Sequence, residues 1–406
     1  MTDLSHRKSS RTVRILNQDG KALENCAIEI RQKKQEFLFG CGAFDIQGYI
    51  FNFFPEKRED LKKRTDLWLD VFNYATLPVY WGLFEPEEGK PGTEMLNKIA
   101  DFLIDHDVTL KGHPLCWHTV CADWLMKYDN KTILEKQLAR IRREVTGFRG
   151  KIDMWDVINE VVIMPKFDKY DNAVTRICKE YGQENLVKMV FDEARSCNPG
   201  ATLLLNDFNT TPAYEDLIKR CLDAGAPINT IGIQSHQHQG YWGTEKIYNV
   251  LERFSKFGLP IHFTENTIIS GSLVDPEIED LNDWQVDEWP STPEYEELQT
   301  KQLEEMYTIL FSNPMVKAIT QWDFSDGAWL KAPAGLIRLD GTPKPAYEML
   351  KNKIKNEWFT ASFKTLTDTY GCALVEGFKG SYDMIINDKT YSLDLGDDNS
   401  EVVIRI

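Results

Sequence analysis

No stretch of the 406-residue sequence stays apolar for long enough to cross a bilayer, and the opening MTDLSHRKSS carries basic residues without the apolar run of a signal peptide. A membrane is therefore not an expected partner. Positive charge is also scarce. Against 63 Asp and Glu stand 47 Lys and Arg, a net charge of −16, and the acids are scattered along the chain instead of gathered in a tail. A polyanion would be repelled, which removes nucleic acid from the expected partners and leaves neutral ligands unpenalised. The eight cysteines (Cys26, Cys41, Cys116, Cys121, Cys178, Cys197, Cys221, Cys372) show no CxxC pair and no regular spacing. Neither a zinc site nor a disulfide framework is indicated, and scattered thiols suit a reducing compartment. No cofactor and no metal is expected.

What the sequence does contain is repetition. Between about residues 37 and 356, short apolar runs alternate with longer amphipathic stretches, the pattern of repeated βα units and a parallel sheet. Eight runs are found: FLFGCGAF (37–44), FNYATLPVYW (72–81), TLKGHPLCW (109–117), KIDMWDVINE (151–160), TLLLNDFN (202–209), TIGIQSHQH (230–238), PIHFTEN (260–266) and AITQWDFSD (318–326). The helical pattern between them is explicit in places. Leu96, Ile99, Ala100 and Leu103 form a stripe at i, i+3, i+4, i+7, and Thr292-Pro293 has the form of an N-cap and first helical residue. Eight βα units over roughly 250 residues or more predict an α/β fold, the (β/α)8 TIM barrel, with a doubly wound sheet as the alternative. The barrel is favoured because His113, Trp117, Glu160, Asn206, Asp207, Asn209, Gln234, His236, Glu265, Trp322 and Asp326 all fall at or just past the C-terminal ends of their runs. In a barrel those ends converge on one mouth.

The terminal segments differ. Residues 11–36 have the pattern of two strands joined by an Asp-Gly turn, and 359–406 alternate as in YDMIIN, TYSLDL and EVVIRI. The expected organisation is a barrel over 37–356 and one small β-domain made from 1–36 and 357–406, with packing or linkage as its role ahead of glycan binding.

Two carboxylates carry the chemistry. Glu160 ends the fourth run and Glu265 the seventh. A strand-end Glu usually serves an ordinary ion pair, but strands four and seven of a barrel are nearly opposite, so carboxylates there can converge on one substrate. A glycosidic bond is cleaved with retention when two carboxyls stand about 5 to 5.5 Å apart, one protonating the leaving oxygen and the other attacking the sugar carbon. Glu160 is the expected general acid/base and Glu265 the expected nucleophile. His236, on the neighbouring strand, is placed to hydrogen-bond Glu265. With His238 it has the i, i+2 spacing that could also serve a metal. Asn159 would aim an amide at the sugar 2-hydroxyl, and Trp117, Trp322 and Trp329 offer flat faces for pyranose rings.

These segments resemble the family 10 glycoside hydrolases, whose best known members are endo-β-1,4-xylanases. The likeness runs from GCGAF through GHPLCWH (112–118), WDVINE (155–160), LNDFN (205–209), GIQSH (232–236) and FTEN (263–266) to WDFSDGAWLKAPAGLIRLDGTPKPAY (322–347). It implies Glu160 as acid/base and Glu265 as nucleophile, a site lined by His113, Trp117, Asn159, Gln234, His236, Trp322 and Trp329, and a polysaccharide or oligosaccharide substrate. It also implies a secreted or cell-envelope setting with the signal segment removed. One stretch departs from the pattern. After the second strand the family carries a Glu-Asn pair and a Lys that hydrogen-bond xylose on the non-reducing side of the cleavage point, whereas here residues 75–86 are ATLPVYWGLFEP. Tyr80 and Trp81 are expected to replace those contacts in part by stacking. Losing several hydrogen bonds to sugar hydroxyls costs on the order of a few kcal/mol, enough to redirect specificity without removing the chemistry. Residues 271–293 add Trp284, Trp289 and several acids at the same mouth, either as a solvated loop or as a wall of the site. The alternatives to a xylan hydrolase are a hydrolase of another β-glycoside and a glycan-binding protein without turnover.

Overall fold

In the computed structural model, which describes residues 3–406, the eight apolar runs become the staves of a closed parallel barrel. In chain order the staves are Leu38–Gly42, Tyr74–Pro78, Thr109–His113, Met154–Asn159, Thr202–Asp207, Thr230–Gln237, Ile261–Ile268 and Val316–Gln321, and the eighth lies beside the first. They are buried along nearly their whole length, as strands covered by helices outside and side chains inside must be. Each stave is followed by helix. The stripe read from residues 93–104 is the buried face of the helix Thr93–Ile104. Thr292 caps Pro293–Ser312 by accepting from the Tyr295 N–H, with proline in the first turn.

One helix does more than cover the sheet. Asn130–Gly147 buries Gln137 and Arg140 against the staves. Gln137 Nε2 donates to the Leu115 carbonyl at 3.0 Å, and the Arg140 guanidinium donates to the carbonyls of Leu115 and Val79. Two polypeptide segments at the barrel mouth, those after staves two and three, are thereby fixed by charge-assisted bonds in a buried setting.

The terminal segments form a second compact unit, comprising the chain up to Leu38 and from Glu348 onward. Met1 and Thr2, within the terminal segment read from sequence, lie outside the described residues. Lys8–Leu16 runs between Cys372–Phe378, antiparallel, and Val402–Arg405, parallel. Ala27–Gln35 sits in a four-stranded sheet with Phe363–Leu366, Gly380–Ile386 and Lys389–Leu395. The two strands expected over 11–36 are both present. The Asp19-Gly20 turn does form, with Asn17 N–H bonded to the Lys21 carbonyl at 2.9 Å, but the two strands enter different sheets. Their alternating residues explain this. Val13 and Ile15 from one strand and Ile28 and Ile30 from the other are buried in one apolar core with Val375, Met384 and Leu393, so the strands face each other across a core instead of pairing edge to edge.

All eight cysteines are free. Among the described residues no helix is long and apolar enough to cross a membrane.

Candidate active site

Strand order places the two glutamates. Stave four ends at Asn159, and the next residue, Glu160, has φ 58°, a left-handed conformation uncommon for a residue with a side chain. Its N–H is bonded to the Asn206 carbonyl at 2.9 Å, which holds the backbone in a state costing on the order of 1–2 kcal/mol. The carboxyl so aimed is met by three donors. Trp117 Nε1 reaches Oε2 at 2.8 Å, and Gln234 Nε2 and Asn159 Nδ2 reach Oε1 at 3.1 and 3.3 Å.

Glu265 lies within stave seven and is also buried. Asn206 Nδ2 donates to its Oε1 at 2.9 Å, and His236 Nε2 lies 3.1 Å from its Oε2. The other ring nitrogen of His236 is 3.2 Å from the Thr267 hydroxyl oxygen, a second contact that fixes the orientation of the ring toward the carboxylate. His113 Nε2 stands 3.9 Å from Glu265 Oε1, while its Nδ1 is bonded to Asp156 at 2.7 Å; Asp156 in turn pairs with Lys111 at 2.6 Å. Lys111, Asp156 and His113 are all buried, so this line of paired polar groups ends at the carboxylate it supports.

The two glutamates are joined through amides. Asn206 Nδ2 serves both Glu265 and the Asn159 side-chain oxygen, at 2.9 and 2.8 Å, and that oxygen also accepts from Gln234 at 3.1 Å. Asn206 is on stave five, and it reaches stave seven by passing over Gly232 on stave six. A Cβ at Gly232 would fall 2.4 Å from Asn206 Oδ1. The sequence placed Asn206 at the barrel mouth but gave it no role there, and Lys111 and Asp156 were not singled out. The role of Asn206 could have been found from the glycine opposite it in the next strand.

The environment drives the two carboxyls apart. Burial, and next the negative charge of Glu265, push the Glu160 carboxyl up to about 8, against the pull of the Trp117 and Gln234 bonds. Burial also acts to raise Glu265, but the charge of His113 and the bond and charge of His236 outweigh it, so that carboxyl is held below its ordinary value. Asp207, buried next to Asn206, is pushed to about 7 by burial despite accepting the Val162 and Asn209 N–H groups, both at 2.9 Å. It pins the turn that follows Glu160.

Rings enclose the pair. Trp322 lies edge-on to His113 at 5.3 Å, Trp329 is 4.7 Å from His236, and Tyr80 is 5.7 Å from His113 and 5.6 Å from Trp117. Of the predicted site residues, Glu160, Glu265, His113, Trp117, Asn159, Gln234, His236, Trp322, Trp329 and Tyr80 come together here. Trp81 does not, and its expected stacking role is corrected. Its indole N–H turns to Glu85 at 3.0 Å, its ring packs edge-on to Trp124 and under the Arg140 guanidinium, and it is 5% exposed. The four-residue helix Trp81–Phe84 brings position 85 under position 81, so the ring satisfies its one polar atom inside the wall. Among the described residues no group of three His, Cys, Asp or Glu is arranged to hold a metal ion.

A protonated carboxyl and an ionised one, held in one hydrogen-bonded frame and ringed by aromatic faces, are the parts needed for acid-assisted displacement at a sugar carbon. A family model described as Glycosyl hydrolase family 10 matches residues 58–353. The chain belongs to glycosyl hydrolase family 10. As a family 10 member it is a glycoside hydrolase, and the expectation of that enzyme class from the sequence is met. It is 28% identical to endo-1,4-beta-xylanase A of Caldicellulosiruptor saccharolyticus over 284 residues, covering 64% of this chain and 78% of that protein. With endo-1,4-beta-xylanase B of Thermotoga neapolitana it shares 26% identity over 320 residues, 73% of this chain and 86% of the relative. Among solved structures, xylanase 10B from Thermotoga maritima superposes with a TM-score of 0.64 at 24% identity, over 79% of this chain and 96% of that one. The same enzyme from Thermotoga petrophila, solved with xylobiose, gives 0.63 at 22%, over 79% and 95%. These likenesses show the barrel of the family.

Proposed function

We propose that this family 10 hydrolase cleaves β-1,4 bonds between xylose units of xylan or xylo-oligosaccharides by double displacement, with Glu160 as acid/base and Glu265 as nucleophile. The observation that carries the mechanism is the opposed protonation of the two carboxyls within one amide-linked frame. The substrate class rests on the relatives, which are named as xylanases, and on the xylobiose bound by the Thermotoga petrophila protein.

In the first step Glu265 attacks the anomeric carbon while Glu160 gives its proton to the leaving oxygen. Trp117 Nε1 holds the carboxyl of Glu160 in line, and His236 and Asn206 hold that of Glu265. In the second step Glu160, now ionised, takes a proton from the water that opens the glycosyl ester. Asn159 spends one amide hydrogen on Glu160, which leaves the other for the sugar 2-hydroxyl.

A second reading, another β-glycoside as substrate, is favoured by one observation. Where the family resemblance calls for a Glu-Asn pair and a Lys, this chain presents the Tyr80 ring to the site and folds Trp81 away from it. Xylan, arabinoxylan, mixed-linkage glucan and aryl β-glycosides assayed side by side, with Glu265→Ala as control, decide the substrate. Proton NMR of the first-formed product decides the stereochemistry: a β-anomer is expected, and an α-anomer would refute the assignment of Glu265 as nucleophile. Glu160→Ala is expected to keep activity mainly on substrates with good leaving groups and to regain turnover with azide, since only protonation and water activation are removed.

A further inference from the structure

The segment between stave seven and the helix Pro293–Ser312 is not a free solvated loop. On its outgoing limb, Val274 N–H is bonded to the His238 carbonyl at 2.9 Å, and Gln239 Nε2 donates to the carbonyls of Asp275 and Ile278 at 3.0 and 2.8 Å. Those bonds tie it to the polypeptide after stave six. At its far turn Asp280 and Asp283 pair with Lys169, at 2.6 and 2.7 Å, on the loop after stave four. On its return Lys331 Nζ donates to the carbonyls of Val286 and Asp287 at 3.1 and 3.3 Å, from the loop after stave eight. An apolar cluster fills the underside: Val274 and Trp289 are buried with Ala332 and Ala334, and Leu281, Trp284 and Leu330 pack on them. The ion pairs are exposed and contribute little, so the cluster and the main-chain bonds are what fix the segment.

Staves four and eight are four places apart in a ring of eight, which puts their loops on opposite sides of the mouth. A segment fastened to both, and to the polypeptide after stave six between them, walls the side of the mouth that staves four to eight share. Its far end is tied nine residues beyond Glu160, on the acid's own loop. Because the acid protonates the leaving oxygen, the sugars beyond the cleavage point lie on that side.

We propose that residues 270–292 form a fixed strap across the leaving-group side of the cleft, so that the enzyme accepts a mono- or disaccharide as leaving group and cuts glycan chains near their reducing ends. This rests on the assignment of Glu160 as the acid and of xylan-type chains as substrate. The strap sets where along a chain the known chemistry falls, and the reaction itself is unchanged.

The test uses the full chain and β-1,4-xylohexaose carrying oxygen-18 at its reducing end, with products read by mass spectrometry. Wild type is expected to release labelled xylose or xylobiose in preference to longer labelled products by about tenfold, the effect of losing one or two well-placed contacts. Replacing residues 276–286 by a short Gly-Ser linker is expected to level that ratio while an aryl β-xylobioside, whose leaving group is small, is hydrolysed within about twofold of wild type. Lys169→Ala combined with Lys331→Ala, which leaves the apolar cluster whole, is expected to move the ratio the same way by less. Wild type cutting the labelled hexaose centrally, with a rapid fall in xylan viscosity, overturns the strap. If the aryl β-xylobioside is not hydrolysed, the xylan reading fails instead, and the strap is judged by the same ratio on end-labelled cellohexaose.

Discussion

Glu265→Gln keeps the size and hydrogen-bonding shape of the nucleophile and removes its charge, which isolates how strongly one carboxyl sets the protonation of the other. In the wild type the Glu160 carboxyl is held up to about 8 by burial and then by the Glu265 charge. At the ~5 Å spacing a retaining pair requires, a unit charge acting through an effective dielectric of ~20 contributes ~3 kcal/mol, up to ~2 on the pKa scale. Burial is untouched by the substitution, so Glu160 is expected to fall to roughly 6 and to stay above the ordinary value for a glutamate. The assay is a carbon-13 NMR titration of enzyme labelled at glutamate Cδ, with Glu160→Gln used to assign the resonance. The same fall should appear when Glu265 is trapped as its 2-fluoroglycosyl ester, because ester formation also removes the charge. That result would explain how one carboxyl serves as acid before the intermediate and as base after it. A Glu160 titration unchanged to within ~0.3 in both forms would refute the electrostatic coupling.

Two further outcomes follow from the same contacts. His236→Asn removes a bond to an ionised carboxyl worth ~1.5–3 kcal/mol, so Glu265 should titrate higher and the acidic limb of kcat/KM against pH should move ~1–2 toward neutrality, with the alkaline limb left near that of wild type; an unmoved acidic limb would count against His236 as the group that holds Glu265 ionised. Asp323 is buried, neither of its oxygens has a hydrogen-bond partner among the described residues, and burial followed by Asp326 and Asp45 raises its pKa well above the ordinary value. A carboxyl raised on folding favours the native state below its unfolded pKa and loses that contribution as pH rises, so Asp323→Asn should raise Tm more at pH 8 than at pH 4, and a gain independent of pH would show that the carboxyl is not held neutral.

The parts that the sequence made legible are those set by periodicity and by position. Strand alternation and helical stripes respond to burial, which is local in the chain, so eight staves and the helix Thr93–Ile104 were open to prediction. Glu160 and Glu265 were found because strand ends in a barrel share one mouth. The misses are of another kind. Whether Tyr80 or Trp81 faces substrate depends on a single helical turn and on Glu85 being there to receive an indole N–H. Which sheet each strand around the Asp19-Gly20 turn joins, which the sequence reading left open, depends on partners more than 300 residues away in the chain. Lys111 and Asp156 carry no outward sign of their role, since an inward-facing pair in a parallel stave looks like any polar interruption of an apolar run.

Gly232 has a consequence that reaches beyond the strand it occupies. Its missing methyl group is the gap through which Asn206 holds Glu265, so part of the catalytic frame consists of an atom that is not there. An alanine at 232 would touch neither sugar nor carboxylate, yet it would push the amide off the nucleophile and sever the link between the two glutamates. Position 232 is thus a place where the smallest chemical change in the barrel, one carbon added in its wall, is felt at the nucleophile on the next strand.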